Sequence, residues 1–400
     1  MTSAGGKVLE FRRSWPLLLA ASVGNAVGLS SILFYSLGSF IGPLQAEFGW
    51  SRGDVASSFL YTTAVLALIS PGLGILIDRI GVRQISLISI PLLALVLFAV
   101  SRFEGSTLAF HGLYALAALV GGGTTPIAYT RVVNGAFKEA RGLALGISLA
   151  GVAIAAMTLP LILAGINQSY GWRTSYLALA VLVLLAWPLV LFGIKDQEKL
   201  AVSRQAAIVD KSVLRSTIFW TLGISFVAIA VAVSAMIVHM VPMLRDAGVS
   251  PMVAASVASL IGVGGLVGRL ATGYLIDRFF APYVAATLFL ATAAGCLLLW
   301  YGGSAVAPVV AAATGLSLGA EIDLMAYLTA RYFGMARYGF VYALIYAMFA
   351  VGTAVGPALA GVAFDSSGNY NMTIWSATAL LVIGSAALLR LPRFENREAH

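Results

Sequence analysis

The chain alternates between long apolar stretches and short polar connections along its whole length. A helix rises 1.5 Å per residue, so about 20 apolar residues cross a hydrocarbon core of about 30 Å. The pattern predicts twelve membrane-spanning helices, over 16–42, 54–78, 84–101, 107–131, 142–166, 174–194, 217–243, 251–277, 282–302, 305–331, 338–363 and 370–391. Because the first stretch is long and no small-residue cleavage site follows a short apolar core, we expect a retained helix and not a signal peptide.

Composition argues against a water-soluble protein. The chain has 400 residues, of which 60% are hydrophobic and 10% are charged. Soluble domains are about 45–50% apolar and about 25% charged, so a soluble enzyme, a disordered chain or a disulfide scaffold is not expected. Cys296 is the single cysteine and cannot form an internal disulfide. The sequence predicts an all-α, multi-pass protein that lies in a lipid bilayer.

The net charge of +8 is explained by where the basic residues lie. If the N-terminus is cytoplasmic, the outer loops hold only Arg52, Arg102, Arg173 and Arg245, and nearly all other Lys and Arg residues lie on the inner side. Cytoplasmic loops carry such an excess. We therefore expect both termini in the cytoplasm, a location in the cell inner membrane, and no nucleic-acid partner.

The two halves of the chain carry copies of one motif. The run Gly-x-Leu-Ile-Asp-Arg over 74–79 ends the second predicted helix and recurs over 273–278 at the end of the eighth. Six spans separate the copies, so both halves point the same way, as in transporters that rock two halves around a central site. We predict a six-helix bundle over 1–194, a cytoplasmic linker over 195–216 and a second six-helix bundle over 217–400. A pseudo-two-fold axis along the membrane normal is expected to relate the bundles.

The loop over 74–83, Gly-x-Leu-x-Asp-Arg-x-Gly-x-Arg, resembles the signature loop of the major facilitator superfamily. The resemblance implies two six-helix bundles and alternating access. Carboxylates at these helix ends can latch the cytoplasmic side through arginines, and the pairs we predict are Asp78 with Arg131 and Asp277 with Arg331. The alternative is solvated loop charges, each worth about 0–1 kcal/mol. The expected gating residues are Asp78, Arg79, Arg83, Arg131, Arg141, Asp277, Arg278 and Arg331.

Arg269 lies inside the eighth predicted helix, in a glycine-rich run. A charge at the bilayer centre costs about 2.5 kcal/mol or more, so such residues usually face a cavity and serve function. The planar guanidinium matches a carboxylate, which predicts an anion-binding residue. The structural alternative is a salt bridge to a carboxylate of the tenth helix.

The tenth predicted helix supplies Glu321 and Asp323 at about the depth of Arg269. Positions two apart differ by about 200° around a helix, so both cannot face one partner. One is expected to pair with Arg269 and the other to reach Tyr327 or the eleventh helix. Either is a candidate proton carrier, with a static ion pair as the alternative. His239, near the outer end of the seventh helix, is a third candidate, as an outer gate or proton relay.

Polar and aromatic residues at similar depths are expected to line a substrate cavity. The aromatic ones on the eleventh helix recur at i, i+4 and i+7 and so share a face. Packing and helix-to-helix hydrogen bonds are the alternatives. The candidate substrate-binding residues besides Arg269 are Asn25, Tyr35, Thr125, Tyr129, Tyr342, Tyr346 and Phe349. The three histidines suggest no catalytic or metal cluster, so we expect no enzyme, no catalytic residue, no metal and no cofactor.

Three patches are similar to the monocarboxylate transporter family, in particular to its bacterial lactate-transporting members. They are 34–40 with 44–48 (Phe-Tyr-Ser-x-x-x-Phe and Leu-Gln-Ala-Glu-Phe), 137–151 (Phe-Lys-x-x-Arg-Gly-Leu-Ala-x-Gly-x-x-x-Ala-Gly), and Arg269. The resemblance implies proton-coupled symport of a small monocarboxylate, such as lactate or pyruvate, by a monomer. The arginine in the eighth predicted span is then expected to hold the carboxylate.

This chain departs from the animal members at two positions. Tyr35 stands where they carry a lysine, and Gly265 stands where they carry an aspartate one turn before the arginine. The proton-coupling residue therefore cannot be transferred from them, and the substrate itself is a further possible proton carrier. An oxalate/formate-type exchanger, or a carrier of another organic solute, is the alternative function. A dianion needs a second fixed cation, and only Arg269 lies within a predicted span.

Overall fold

The computed structural model of the protein describes residues 4–137, 140–195, 211–276 and 278–394. These ranges are helical almost throughout and contain no β-strand, which confirms the predicted all-α class. The helices, numbered in chain order, are α1 (Ala4–Val27), α2 (Leu29–Phe48), α3 (Arg52–Ile80), α4 (Val82–Ser101), α5 (Thr107–Gly121), α6 (Pro126–Ala136), α7 (Arg141–Gly193), α8 (Thr217–Asp246), α9 (Pro251–Ile276), α10 (Ala281–Gly302), α11 (Ala307–Phe333), α12 (Met335–Ser367) and α13 (Asn371–Leu389).

Ten helical stretches in the described residues are long and apolar enough to cross a membrane. Two of them, Leu143–Gly193 and Ala281–Phe333, have 51 and 53 residues, about twice what one crossing needs. The first is interrupted at Gly171, whose φ of 80° and ψ of 168° are not helical. The second contains both α10 and α11. The ten stretches therefore accommodate the twelve predicted spans.

The first and fourth predicted spans are each broken into two helices, and the breaks lie side by side. The first span breaks at Gly28, which is extended (ψ 168°). The fourth breaks over Gly122–Thr125, between α5 and α6. A side chain at Gly28 would overlap the Thr124 carbonyl oxygen, and the Thr124 hydroxyl accepts a bond from Leu29 N–H at 3.0 Å. Buried in protein and hydrogen-bonded in this way, irregular backbone is tolerated at membrane depth.

Packing divides the chain into two compact units. The first comprises Met1–Trp50 and Ser58–Ser203, and the second comprises Ser51–Ser57 and Arg204–His400. The first turn of α3 thus groups with the second unit, because the hydrogen bonds of Arg52 go to residues of that unit. This assignment places Ser51–Ser57 apart from the rest of the predicted bundle over 1–194, and most of the predicted linker over 195–216 lies outside the described residues.

Small residues bring the helices of each unit together. In the first unit, α1 packs along α7, and side chains at Gly151 and Gly193 would overlap backbone oxygens of α1. In the second unit, α8 packs on α12, where Gly352 and Gly356 contact the α8 backbone. Helices in membranes associate through such close backbone approach. The second unit also contains the tightest pair of glycine-lined helices, α9 and α11, which position the candidate site.

Candidate functional site

Glycines set the register between α9 and α11. A side chain at Gly315 would overlap the Ile261 carbonyl oxygen. A side chain at Gly319 would overlap the Gly265 carbonyl oxygen, and its Cβ would lie 2.7 Å from the backbone nitrogen of Arg269. The contacts advance together along both sequences, so the two helices run parallel. Because residues four apart share a face of a helix, the residue one turn after Gly319 lies beside Arg269. That residue is Asp323.

Arg269 and Asp323 form a loose ion pair. Arg269 Nε lies 3.6 Å from Asp323 Oδ2, and the two side chains remain 23% and 33% exposed. Arg269 forms no hydrogen bond within the described part of the chain, so its two terminal nitrogens stay available. A carboxylate can bind that edge of a guanidinium through two parallel N–H···O bonds. The pair therefore combines a cation held at Nε with a terminal edge that forms no hydrogen bond within the described residues.

Glu321 lies on another face of α11. It is 2% exposed, and its Oε1 has no hydrogen-bond partner. Ser317, one turn earlier on the same face, bonds Thr292 of α10 at 2.7 Å. Glu321 forms no hydrogen bond to Tyr327 or to α12 within the described residues, and the predicted approach of this carboxyl to them stays a prediction. Tyr327 lies about 240° further round the helix, on the face of Asp323.

The aromatic residues predicted on the eleventh span follow one another along α12. The rings of Tyr342 and Tyr346 lie 6.0 Å apart between centroids, as do those of Tyr346 and Phe349. Tyr346 is 41% exposed, whereas Phe349 is buried. The stripe thus presents an accessible aromatic surface in the second unit, the unit that also contains Arg269.

His239 is fully buried and belongs to a chain of hydrogen bonds in the second unit. Its Nε2 lies 2.9 Å from the Pro357 carbonyl oxygen, which can only accept, so Nε2–H donates. Nδ1 must then accept from the Tyr370 hydroxyl at 3.1 Å. The Tyr370 oxygen accepts in turn from Arg52 Nη1 at 2.6 Å. Both nitrogens of the predicted proton relay are therefore engaged.

Arg52 is the centre of this group, which we call the Arg52 cluster: Arg52, His239, Asp246, Phe364, Asp365 and Tyr370. Its two terminal nitrogens bond both oxygens of Asp246 at 2.6 and 2.8 Å, and its guanidinium lies 3.7 Å from the Phe364 ring centroid. Asp365 accepts from the Arg52 and Gly53 N–H groups at the start of α3. Burial raises the pKa of Tyr370, and Arg52 partly offsets that rise, so the hydroxyl keeps its proton.

The sequence identified only His239 of these residues. Arg52 counted above as one of four basic residues in outer loops. The available signal was the pair of carboxylates, Asp246 and Asp365, at the ends of apolar helices that begin or end on that same side. Sequence spacing gave no indication that they meet Arg52, because the three residues lie far apart in the chain.

The candidate residues of the first unit lie inside its helix packing. Asn25 is 1% exposed and donates through Nδ2 to the Ser148 hydroxyl and carbonyl at 2.9 and 3.1 Å. Thr125 donates to the Gly122 carbonyl at 2.8 Å. Tyr129 is fully buried against Gly24, and Tyr35 is half-buried. The Asn25 bonds are the helix-to-helix bonds of the alternative interpretation, the Thr125 bond is local, and a substrate-binding role for these residues stays a prediction.

Three of the predicted gating residues contact groups other than the predicted carboxylates. Arg83 donates to the Leu191 carbonyl at 3.1 Å. Arg278 lies over the Tyr274 ring at 3.6 Å, and Arg331 lies over the Phe394 ring at 4.7 Å. Arg79 is exposed and Arg131 is half-buried. Asp277 and the side chains of Asp78 and Arg141 lie outside the described residues, so the two latch pairs stay predictions.

Comparison with known proteins points to one family. A family model of the Major Facilitator Superfamily matches residues 23–320 and 242–399. A crystal structure of the nucleoside transporter NupG superimposes with a TM-score of 0.79 at 12% identity, covering 94% of this chain and 98% of that one. At that identity the likeness concerns the fold alone.

Three characterised relatives are transporters by name. Monocarboxylate transporter 13 of Rattus norvegicus is 28% identical over 64% of this chain and 61% of its own length. Monocarboxylate transporter 11 of Mus musculus is 27% identical over 95% of this chain and 88% of its own. The oxalate:formate antiporter of Oxalobacter formigenes is 26% identical over 54% and 52%. The chain thus matches about three fifths of the length of the rat relative.

Proposed function

Because this chain belongs to the major facilitator superfamily, it is a multi-pass membrane transporter and not an enzyme, and we propose that it carries a small monocarboxylate together with a proton. Lactate and pyruvate are the acids we favour. The observation that carries the proposal is the position of Arg269 in an apolar helix. The two terminal nitrogens of its guanidinium form no hydrogen bond with the described residues. The similarity to two monocarboxylate transporters supports the same class of cargo.

The carboxylate binds the terminal edge of the Arg269 guanidinium while Asp323 remains near Nε. One cation then faces two carboxylates, which leaves one net negative charge. Moving that charge into a negative-inside cell costs about 2.3 kcal/mol per 100 mV, and a co-transported proton removes the cost. Glu321, Asp323 and His239 are the residues proposed above to take that proton. The aromatic stripe on α12 supplies apolar surface for the rest of a small acid.

Transport proceeds by alternating access, with the two six-helix halves, 1–194 and 217–400, moving as bodies in the inner membrane and both termini in the cytoplasm. The arginines at the cytoplasmic helix ends act in the gate. The carrier works as a monomer and needs no cofactor besides the proton. Support for this cycle comes from the family membership and from the internal repeat, whose two copies end corresponding helices.

Proton symport is tested with purified protein in liposomes of low buffering capacity. Lactate added outside at equal pH should make the external medium more alkaline as acid and proton enter together. Protein-free liposomes are the control for diffusion of lactic acid. Uptake that ignores a pH gradient but responds to membrane voltage would rule out symport.

An oxalate/formate-type exchanger is the second candidate, favoured by the similarity to the oxalate:formate antiporter. The charge of the Arg269 site argues against an oxalate carrier, because a dianion needs two fixed cations. Arg52 is a buried arginine on another candidate span, and Asp246 already neutralises it. Exchange of external oxalate for internal formate, with no lactate uptake, would establish this alternative.

A further inference from the structure

Glu321 is a buried acid that the binding geometry at Arg269 does not use. The side chain is 2% exposed, and its Oε1 has no hydrogen-bond partner. An ionised carboxylate without a partner is expensive in an apolar interior. The buried, unpartnered position of Glu321 therefore favours the neutral acid over the carboxylate.

The two other proton candidates are engaged. Asp323 is the counter-ion of Arg269, at 3.6 Å, and the guanidinium favours its ionised form. His239 donates from Nε2 to the Pro357 carbonyl and accepts at Nδ1 from Tyr370. A proton added to His239 has no free position to occupy without breaking the Arg52 cluster.

No cation forms an ion pair with Glu321 among the residues that the structure describes. The helices packed against α11 are α8, α9, α10 and α12. The titratable or charged side chains within the candidate spans of these helices are His239, Arg245 and Asp246 on α8, Arg269 and Tyr274 on α9, Tyr283, Cys296 and Tyr301 on α10, and Tyr342, Tyr346 and Asp365 on α12; Asp323, Tyr327, Arg331 and Tyr332 lie on α11 itself. The cations among these have other partners: Arg269 lies against Asp323, Arg245 donates to the Val249 carbonyl, Arg331 lies over the Phe394 ring, and His239 is hydrogen-bonded as a neutral ring.

We propose that Glu321 is the residue that binds and releases the co-transported proton, while Asp323 stays ionised beside Arg269. The inference rests on the proposed function and deepens it. Glu321 and Asp323 are two residues apart on α11, so a proton on Glu321 changes the charge in the layer of the substrate site. Because the two side chains lie on different faces, that proton does not compete with the substrate for the guanidinium. Release requires a rearrangement around α11 that admits water to Glu321.

The test compares two modes of transport of radiolabelled L-lactate by Glu321→Gln in liposomes. Glutamine mimics the protonated acid and cannot release a proton. Exchange of labelled for unlabelled lactate at equal pH should therefore continue, because it needs no deprotonation. Accumulation driven by an inward proton gradient should fall to the level of protein-free liposomes. Glu321→Asp, which keeps a titratable group, should retain part of the accumulation.

Glu104→Gln is the matched control, because it removes a carboxylate from an exposed loop position and should behave like the wild type in both assays. Accumulation by Glu321→Gln at the wild-type level would overturn the inference. So would the loss of exchange together with accumulation, which indicates a structural role. Absence of lactate transport by the wild type would instead refute the proposed function, and this inference would fall with it.

Discussion

At the scale of single residues, the candidate site depends on which edge of a guanidinium is occupied. Asp323 approaches Arg269 at Nε, and the terminal nitrogens are left for a ligand. In the Arg52 cluster the opposite holds, because Asp246 takes both terminal nitrogens of Arg52 and Tyr370 shares one of them. The buried Arg52 thus has both terminal nitrogens bonded by protein, whereas the half-buried Arg269 has neither of them bonded within the described residues.

The hydrogen bonds of the Arg52 cluster predict that removal of the Tyr370 hydroxyl lowers the stability of the protein. Tyr370→Phe deletes the hydroxyl that accepts from Arg52 and donates to His239. Two buried polar groups then lose a partner, which costs about 1–3 kcal/mol each. We expect a lower melting temperature of the detergent-solubilised protein. Tyr301→Phe, at a tyrosine that is 77% exposed, should leave the melting temperature unchanged, and an equal effect of both variants would refute the role of the cluster.

At the scale of helices, the spacing of glycines on α9 and α11 determines which acidic residue of α11 lies beside Arg269. Gly315 and Gly319 allow backbone contact between the two helices, and that contact fixes the register that brings Asp323 to Arg269. Helix periodicity alone predicted that one acid of α11 would pair with Arg269. It left open which acid would do so, because depth along a helix does not determine rotation about its axis.

The close contact between α9 and α11 predicts that a methyl group added at Gly319 destabilises the protein. In Gly319→Ala the added carbon overlaps the Gly265 carbonyl oxygen, so α9 and α11 must separate. Overpacking of this kind costs about 1–3 kcal/mol, and we expect reduced thermal stability together with reduced lactate uptake. Gly112→Ala is the control, because nothing lies within 4 Å of the added carbon there. An unaltered Gly319→Ala protein would show that close contact of these helices is dispensable.

At the scale of the whole molecule, hydrophobic periodicity predicted the helical class and the positions of the spans. It missed the breaks at Gly28 and over Gly122–Thr125, because both sites remain apolar or weakly polar and so do not interrupt the hydropathy pattern. It also missed the Arg52 cluster, whose members are brought together only by tertiary packing. The length of the apolar stretches thus predicts the membrane-spanning helices, and it contains no information on contacts between distant helices.

The measurement that tests the central claim most directly is equilibrium binding of radiolabelled lactate to purified wild-type protein and to Arg269→Ala. A hydrogen bond to a charged group is worth about 1.5–3 kcal/mol, so the account predicts about 10- to 100-fold weaker binding by the variant. Arg269→Lys should bind with intermediate affinity, because it keeps the positive charge but loses the planar guanidinium that binds a carboxylate through two hydrogen bonds. Arg102→Ala is the control at an exposed position outside the apolar helices, and it should bind like the wild type. Wild-type affinity in Arg269→Ala would contradict the account.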